Sequence, residues 1–365
     1  MTRRSRAGRW RWLKAIAFLL ALVLVLALAA FGWLLMGYPD RKGPGTGRVV
    51  ELTIEPGASL EQVADQLVSA GALREAWLFA LHARVRGAAA RLREGPILVY
   101  DSMSPRRLLQ RIARGYGSVE LRVVIPEGFS RFEIADRLAR WDVCERDAFL
   151  AATTDPSLLN ELEIVGPSAE GWLFPDTYLL NDDVDPRALV RRFVRNARRR
   201  IGSVMEQQHA GLERLRDQLG WGPSEVLTLA SIVEKEAAVP SEQSLIAGVF
   251  LNRLLDPSWK PKRLQADPTV AYGCLIAKQL ASCADFNGRQ LTHAMLLDAE
   301  NPYNTYRIEG LPPGPIANPG LPALKAVLAP ARHDYFYFVA KGGGVHEFSH
   351  SLDQHNAAVE QLRRR

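Results

Sequence analysis

Two short strings in this chain carry residue types that could do chemistry. The first, His346-Glu347-Phe348-Ser349-His350, spells the H-E-x-x-H pattern of zinc proteases. In those enzymes the two histidines lie one helical turn apart, on one face, and share an ion. Here the string follows "YFYFVA" (335–340), an aromatic and β-branched run, and then Lys341 and three glycines. That order predicts a β-hairpin with "VHEFS" as the return strand. Histidines four apart on a strand stand ~13 Å apart at ~3.3 Å per residue, and one zinc ion with ligands at ~2 Å cannot bridge them. The next helix is expected from Ser351, with Gln354 completing an S-x-x-Q capping box. No metal and no cofactor are expected.

The second string is "SEVLTLASIVEKEAAV" (224–239), which predicts a helix with Ser224 as N-cap. Val226, Leu229, Ala230, Val233 and Ala237 form its apolar stripe. Glu236 falls within about 20° of Leu229 on the edge of that stripe, while Lys235 faces away and Glu234 lies on the other flank. A carboxylate among apolar neighbours loses solvation, so its pKa rises and it can hold a proton near neutrality. Protonation of a glycosidic oxygen requires such a group. Periodicity equally allows a helix surface with solvated glutamates on either side of a lysine.

The elements that must position such residues begin with a membrane segment. Residues 15–36 carry no charge, and ~1.5 Å per residue makes them long enough for a hydrocarbon core of ~30 Å. A cleaved signal peptide is the competing reading, but its apolar region normally runs only ~7–15 residues, which favours a retained transmembrane helix. Before it, residues 1–14 hold six basic residues from Arg3 to Lys14 and no acidic one. That asymmetry predicts a cytoplasmic N-terminus and an exported remainder. It also accounts for the whole net charge of +6, so the later residues balance, and no nucleic-acid surface is implied. Cys144, Cys274 and Cys283 are too few for a disulfide scaffold, although an oxidising compartment would permit a bridge between the last two.

After a Gly/Pro linker (37–47), "RVVELTI" (48–54) alternates like a strand, Ser59 caps a helix with Leu60, Val63, Ala64 and Leu67 apolar, and a helix at 74–85 and a strand at 96–100 follow. This βααβ order is that of a LysM-type module, placed at 48–118. "LTIEPGASLEQVADQL" (52–67) aligns without gaps on "VVIPEGFSRFEIADRL" (123–138). A duplicated module and a recurring strand–turn–capped-helix solution both explain the echo, and its brevity favours the second. Further on, "EGWLFPDTY" (170–178), "RLQADPTVAYG" (263–273) and "NPYNTYRIEGLPPGPIANPG" (301–320) are dense in Pro, Gly, Asn and aromatics. They read as loops, either ordinary surface loops or loops suited to a polar ring-shaped ligand. The expected fold class is α+β, with an N-terminal transmembrane helix, the LysM-like subdomain and a mixed α+β catalytic domain over 119–365.

"ASIVEKEAA", "FLNRL" and "HEFSHSLDQHN", together with the three loop strings, resemble the YceG-like family, the endolytic murein transglycosylases, in order along nearly the whole chain. The resemblance implies cleavage of the MurNAc–GlcNAc β-1,4 bond within peptidoglycan strands, leaving 1,6-anhydro-MurNAc ends that limit strand elongation. It makes Glu236 the catalytic glutamate, and it asks for histidines matching His346 and His355 but for neither Glu347 nor His350. It also implies an inner-membrane enzyme facing the periplasm and a link to the peptidoglycan synthases. Gln265, Asp267, Tyr303 and Asn304 are candidates for orienting the sugars. Two departures stand out: a longer loop between Tyr272 and Leu291 that holds both Cys274 and Cys283, and "REGPILVY" (93–100), a loose match to the family's Gly-Tyr-containing strand. A lysozyme-like hydrolase, with Asp176 or Asp267 as second carboxylate, and a non-catalytic wall-binding protein remain as alternatives.

The charge asymmetry generates a topology test. A reporter fused after Arg365 is expected to be active when it is of a kind that works only outside the cytoplasm. Activity of a cytoplasm-only reporter at that position would overturn the single N-in span.

Overall fold

The uncharged N-terminal run lies within one helix, α1 (Arg4–Met36), of 33 residues. At ~1.5 Å per residue it measures about 50 Å, and by length and composition its apolar part can cross a membrane. From Phe18 to Phe31 its side chains lie bare, Phe18 being 72% exposed, whereas Leu34 near its end is buried in the core of the first unit. The computed structural model describes residues 4–46, 48–87, 92–114, 121–141, 143–181, 184–288 and 290–363. The chain divides into two units, Met1–Val119 and Glu120–Arg365.

Beyond α1, the first unit continues with β1 (Val49–Ile54), α2 (Leu60–Ser69), α3 (Ala76–Val85), β2 (Gly95–Tyr100) and α4 (Pro105–Arg114). The strands pair antiparallel from Val49↔Tyr100 to Ile54↔Gly95. Leu60, Val63, Ala64 and Leu67, the apolar positions read from periodicity, are all buried, against Phe79, Val99 and Leu108 among others. The expected helix at 74–85 starts two residues late, because Glu75 is extended.

The second unit opens with β3 (Leu121–Val124), α5 (Arg131–Arg140), α6 (Arg146–Thr153), α7 (Pro156–Glu161) and β4 (Thr177–Leu180). β3 and β4 pair antiparallel, with Leu121 opposite Leu180. There follow α8 (Pro186–Gln207), α9 (His209–Leu219), α10 (Pro223–Glu236), α11 (Gln243–Leu255), α12 (Asp267–Ile276), α13 (His293–Leu297) and α14 (Leu321–Leu328). A hairpin of β5 (Tyr337–Gly342) and β6 (Val345–Ser349) and a last helix, α15 (Leu352–Arg363), complete it.

The two echoed strings adopt one local solution. Gly57 (φ 76°) and Gly128 (φ 74°) turn the chain through the left-handed region, where a side chain would be strained. Ser59 and Ser130 then cap α2 and α5, each in a reciprocal capping box with the residue three positions on, Gln62 and Glu133.

Helix α10 departs from its expected form in two ways. It is capped from Gly222, whose N–H donates to Glu225 at 2.8 Å, and Pro223 occupies its first turn, so Ser224 lies inside it. It also ends at Glu236, since Ala237 is extended. The expected stripe is wrong in kind. All residues from Val226 to Val233 are buried, which marks a central helix wrapped on every side, here by α11, α12 and α14. Its two buried hydroxyls are satisfied within the helix, Thr228 donating to the Ser224 carbonyl and Ser231 to that of Thr228.

The expected loops also need correction. Most of "RLQADPTVAYG", from Asp267 on, is helix α12, because Pro268 sits in the first turn, where its missing N–H costs nothing. The amides of these segments face inward, with Asn301, Asn304 and Asn318 fully buried. Asn318 donates to the Phe129 carbonyl and to Glu170, and it accepts from the Leu173 N–H, so it joins three segments.

The H-E-x-x-H string lies on β6 and in the residue after it, as the hairpin reading requires. The two imidazoles take different partners: His346 Nδ1 lies 2.7 Å from Glu242 and His350 Nδ1 lies 3.0 Å from Asp334. The capping box is displaced by one residue. Ser351 Oγ accepts from the Gln354 N–H, but the Gln354 side chain accepts from His350.

Cys274 and Cys283 form a disulfide that closes the loop after α12 onto a small cluster with Val270, Phe286 and Met295. So short a closed loop is worth roughly 2–3 kcal/mol of stability. Replacing both cysteines by serine is expected to lower the thermal midpoint of the detergent-solubilised chain. An unchanged midpoint would show that the cluster holds the loop without the bond.

Candidate active site

Because α10 stops at Glu236, the carboxylate stands where the buried helix meets solvent, and it is half-buried. Its pKa is pushed up to about 8, first by burial and then by the negative charge of Asp267, with Arg253 opposing. It therefore holds a proton at neutral pH while keeping an opening to the outside.

Asp267 is the first residue of α12 and is exposed. The Tyr306 hydroxyl donates to its Oδ1 at 2.6 Å. Arg253 projects from α11 and is buried; its Nε donates to the Phe336 carbonyl at 2.8 Å and Nη1 to the Leu264 carbonyl. Its guanidinium carbon lies 5.0 Å from the Trp259 ring centre and 5.8 Å from those of Phe250 and Tyr337. Burial pulls its pKa down to about 10, with Glu236 working the other way. An aromatic cage thus fixes one cation whose field reaches the Glu236 carboxyl. His355 stacks on Tyr337, one ring of the cage, at 5.4 Å between ring centres.

Glu234 is not the solvated residue that its helical phase suggested. It is half-buried and accepts from the Gly320 N–H at 3.3 Å and from Gln243 at 3.4 Å, and burial raises its pKa as well. Its hydrogen bonds tie α10 to the start of α14, which gives it a scaffold task.

The four sugar-orienting candidates separate. Gln265 and Asp267 are exposed beside each other, Gln265 in a left-handed conformation (φ 54°) held by its N–H on the Thr305 carbonyl. Tyr303 is 3% exposed and packs on Tyr272 at 5.0 Å between ring centres, as a core residue. Asn304 is fully buried. Its amide donates to the carbonyls of Met295, Leu296 and Asp298 while its Oδ1 accepts from the Tyr306 N–H. Asn304 therefore does not face a ligand; it sets the backbone from which Tyr306 reaches Asp267. Of the two second carboxylates considered, Asp267 is brought to Glu236, whereas Asp176 is engaged by Asn196 and the Thr177 N–H. Arg253 and Tyr306 escaped the sequence reading. The available signal was a cation inside the apolar run "GVFLNRLL" and a second tyrosine in "NPYNTY".

Comparison with known proteins agrees with this arrangement of elements. The YceG-like family matches residues 52–361. A protein of Bacillus subtilis named endolytic murein transglycosylase is 28% identical over 86% of this chain and 84% of its own length. One of the same name from Streptococcus pneumoniae is 27% identical over 89% of this chain, which spans 61% of that longer protein. A crystal structure of a putative YceG-like protein from Listeria monocytogenes superposes with a TM-score of 0.55 at 27% identity, covering 86% of this chain and all of that one. Matched over most of its length by sequence and by structure, the chain belongs to the YceG-like family.

Proposed function

We propose that this chain is a membrane-anchored endolytic peptidoglycan transglycosylase, with Glu236 as its single acid and base. The observation that carries the proposal is a half-buried carboxyl with a pKa near 8 at the end of a fully packed helix. The names of the relatives supply the substrate class. Protonated Glu236 donates to O4, the oxygen that joins MurNAc C1 to GlcNAc C4, and the C1–O4 bond breaks with its electrons leaving on O4. The C6 hydroxyl of the same MurNAc then attacks C1, and the Glu236 carboxylate takes its proton. The products are a free GlcNAc 4-hydroxyl and a 1,6-anhydro-MurNAc end, and no water is consumed. One carboxyl serves both half-steps because the nucleophile belongs to the substrate.

Asp267 favours the protonated acid before the reaction, and its negative charge stabilises oxocarbenium character at C1. Arg253 favours the carboxylate that the first half-step creates. Gln265, exposed beside Asp267, is suited to orient a sugar. Within this proposal α1 is a retained anchor that puts the second unit in the periplasm, the βααβ unit is LysM-like, and the synthases are the natural partners. One observation favours a second reading, a retaining or inverting hydrolase: Asp267 is a second carboxylate that acts on Glu236. Mass spectrometry of digested glycan strands separates the two, anhydro ends marking the lyase and reducing ends the hydrolase.

Two substitutions test the assignment. Glu236→Gln is expected to lower release of anhydro ends by ~10²–10⁴-fold or more while strands still bind, since the amide cannot cycle a proton. Glu234→Gln keeps an acceptor for Gly320 and is expected to cost less than about tenfold, corresponding to one weakened hydrogen bond of about 1 kcal/mol. Equal losses, or a greater loss at Glu234, would reassign the acid.

The pH profile tests the electrostatics. The acid form of Glu236 is lost as pH rises through about 8, so kcat/KM should fall on the alkaline side there. Asp267→Asn removes the charge that raises this pKa, so the falling limb should move to lower pH. A limb that stays in place would show that Asp267 does not act on the acid.

A further inference from the structure

A cleft of about 510 Å³ opens in the second unit, lined in part by the ends of the two helices that carry Glu236 and Asp267. Two of its lining residues adjoin the site in sequence, Lys235 before Glu236 and Pro268 after Asp267. Phe132, Tyr272 and Phe286 give it aromatic surface, the first two at 6.0 Å between ring centres. Lys278 comes from the disulfide-closed loop and Phe286 lies three residues beyond it, both in the segment between Tyr272 and Leu291 that is longer than its family's pattern.

The charges in the cleft are of both signs and unequally committed. Arg146 is bound to Asp136 at 2.5 Å and to Asp147 at 3.0 Å. Glu133 accepts from the N–H and hydroxyl of Ser130, both at 2.8 Å. Lys235 spends one ammonium proton on the Gly128 carbonyl at 3.3 Å and keeps two. Lys278 is exposed and has no hydrogen bond or ion pair among the described residues. The cleft therefore offers two incompletely used ammonium groups beside apolar rings. In a peptidoglycan strand the sugars are neutral once the lactyl group is amide-linked, and the carboxylates lie in the peptide stems. A neutral glycan gains little from paired lysines, whereas a carboxylate gains charge-assisted hydrogen bonds.

We propose that this cleft holds the peptide stem of the muramyl residue being cleaved, which makes the enzyme selective for strands that carry stems. The stem carboxylates bind Lys235 and Lys278, its alanine methyl groups pack on the rings, and Asp136 and Glu133 accommodate a free amine. This inference rests on the lyase reading, and its test is built to fail separately.

Full-length protein in detergent is given stem-bearing strands and the same strands stripped of stems by an amidase, and kcat/KM for anhydro ends is compared. The wild type is expected to prefer stem-bearing strands by at least tenfold. Lys278→Glu should bring that ratio close to one, and Lys278→Arg should keep it. Equal rates on both substrates in the wild type, or a preference that survives Lys278→Glu, would overturn the proposal. If neither substrate yields anhydro ends, the lyase reading has failed, and calorimetry with a free stem tetrapeptide decides the cleft on its own. Binding to the Glu236→Gln protein that is lost with Lys278→Glu supports it; absent binding, or binding unaffected by that change, overturns it.

Discussion

A helix buried on every side has no freedom to rotate or slide, because any shift would open the core around it. α10 is in that position from Val226 to Val233, and the segment ends three residues later on Glu236. The carboxyl is thus placed by packing at the boundary between interior and solvent. That position has a cost. A carboxyl whose pKa rises on folding, here to about 8, destabilises the fold above its unfolded value of about 4.5. The penalty grows until the folded pKa is reached, so it is present at neutral pH, and the surrounding core of α11, α12 and α14 offsets it.

The elements around Glu236 act by charge. Asp267 raises its proton affinity and Arg253 lowers it, and the two are held by unlike means. Arg253 is buried and held by two backbone carbonyls and by aromatic rings. Asp267 stands in solvent, secured by one short hydrogen bond from Tyr306. A held cation and an accessible anion act on one acid in opposite senses, so neither protonation state is favoured without opposition.

The loops that bring these groups together are held from inside. Asn304 satisfies three carbonyls, Asn318 links segments far apart in sequence, and buried Glu170 accepts from the Arg131 N–H at 2.9 Å and from Asn318 at 2.7 Å. Irregular backbone inside a core must find partners for its polar groups, and short amide side chains supply both donors and acceptors. The amide-rich composition that suggested sugar contacts reflects this need. Gln265 and Asp267, by contrast, are exposed.

What the sequence by itself determined is what depends on near neighbours in the chain. Ser59 and Ser130 cap helices because their partners lie three residues on, and "VHEFS" returns as a strand because glycines precede it and an aromatic run faces it. The preference for Glu236 over Glu234 as candidate acid rested on helical phase together with the family resemblance, and the stripe behind that phase proved to be a helix buried all round. Tertiary structure alone decided that α10 stops at Glu236, that the charges of Arg253 and Asp267 act on it, that Asn304 and Tyr303 turn inward, and that Glu234 is bound to Gly320. Each of these involves groups separated by whole elements. A side chain's burial and the sign of its neighbours are properties of that packing, and no local period or spacing encodes them.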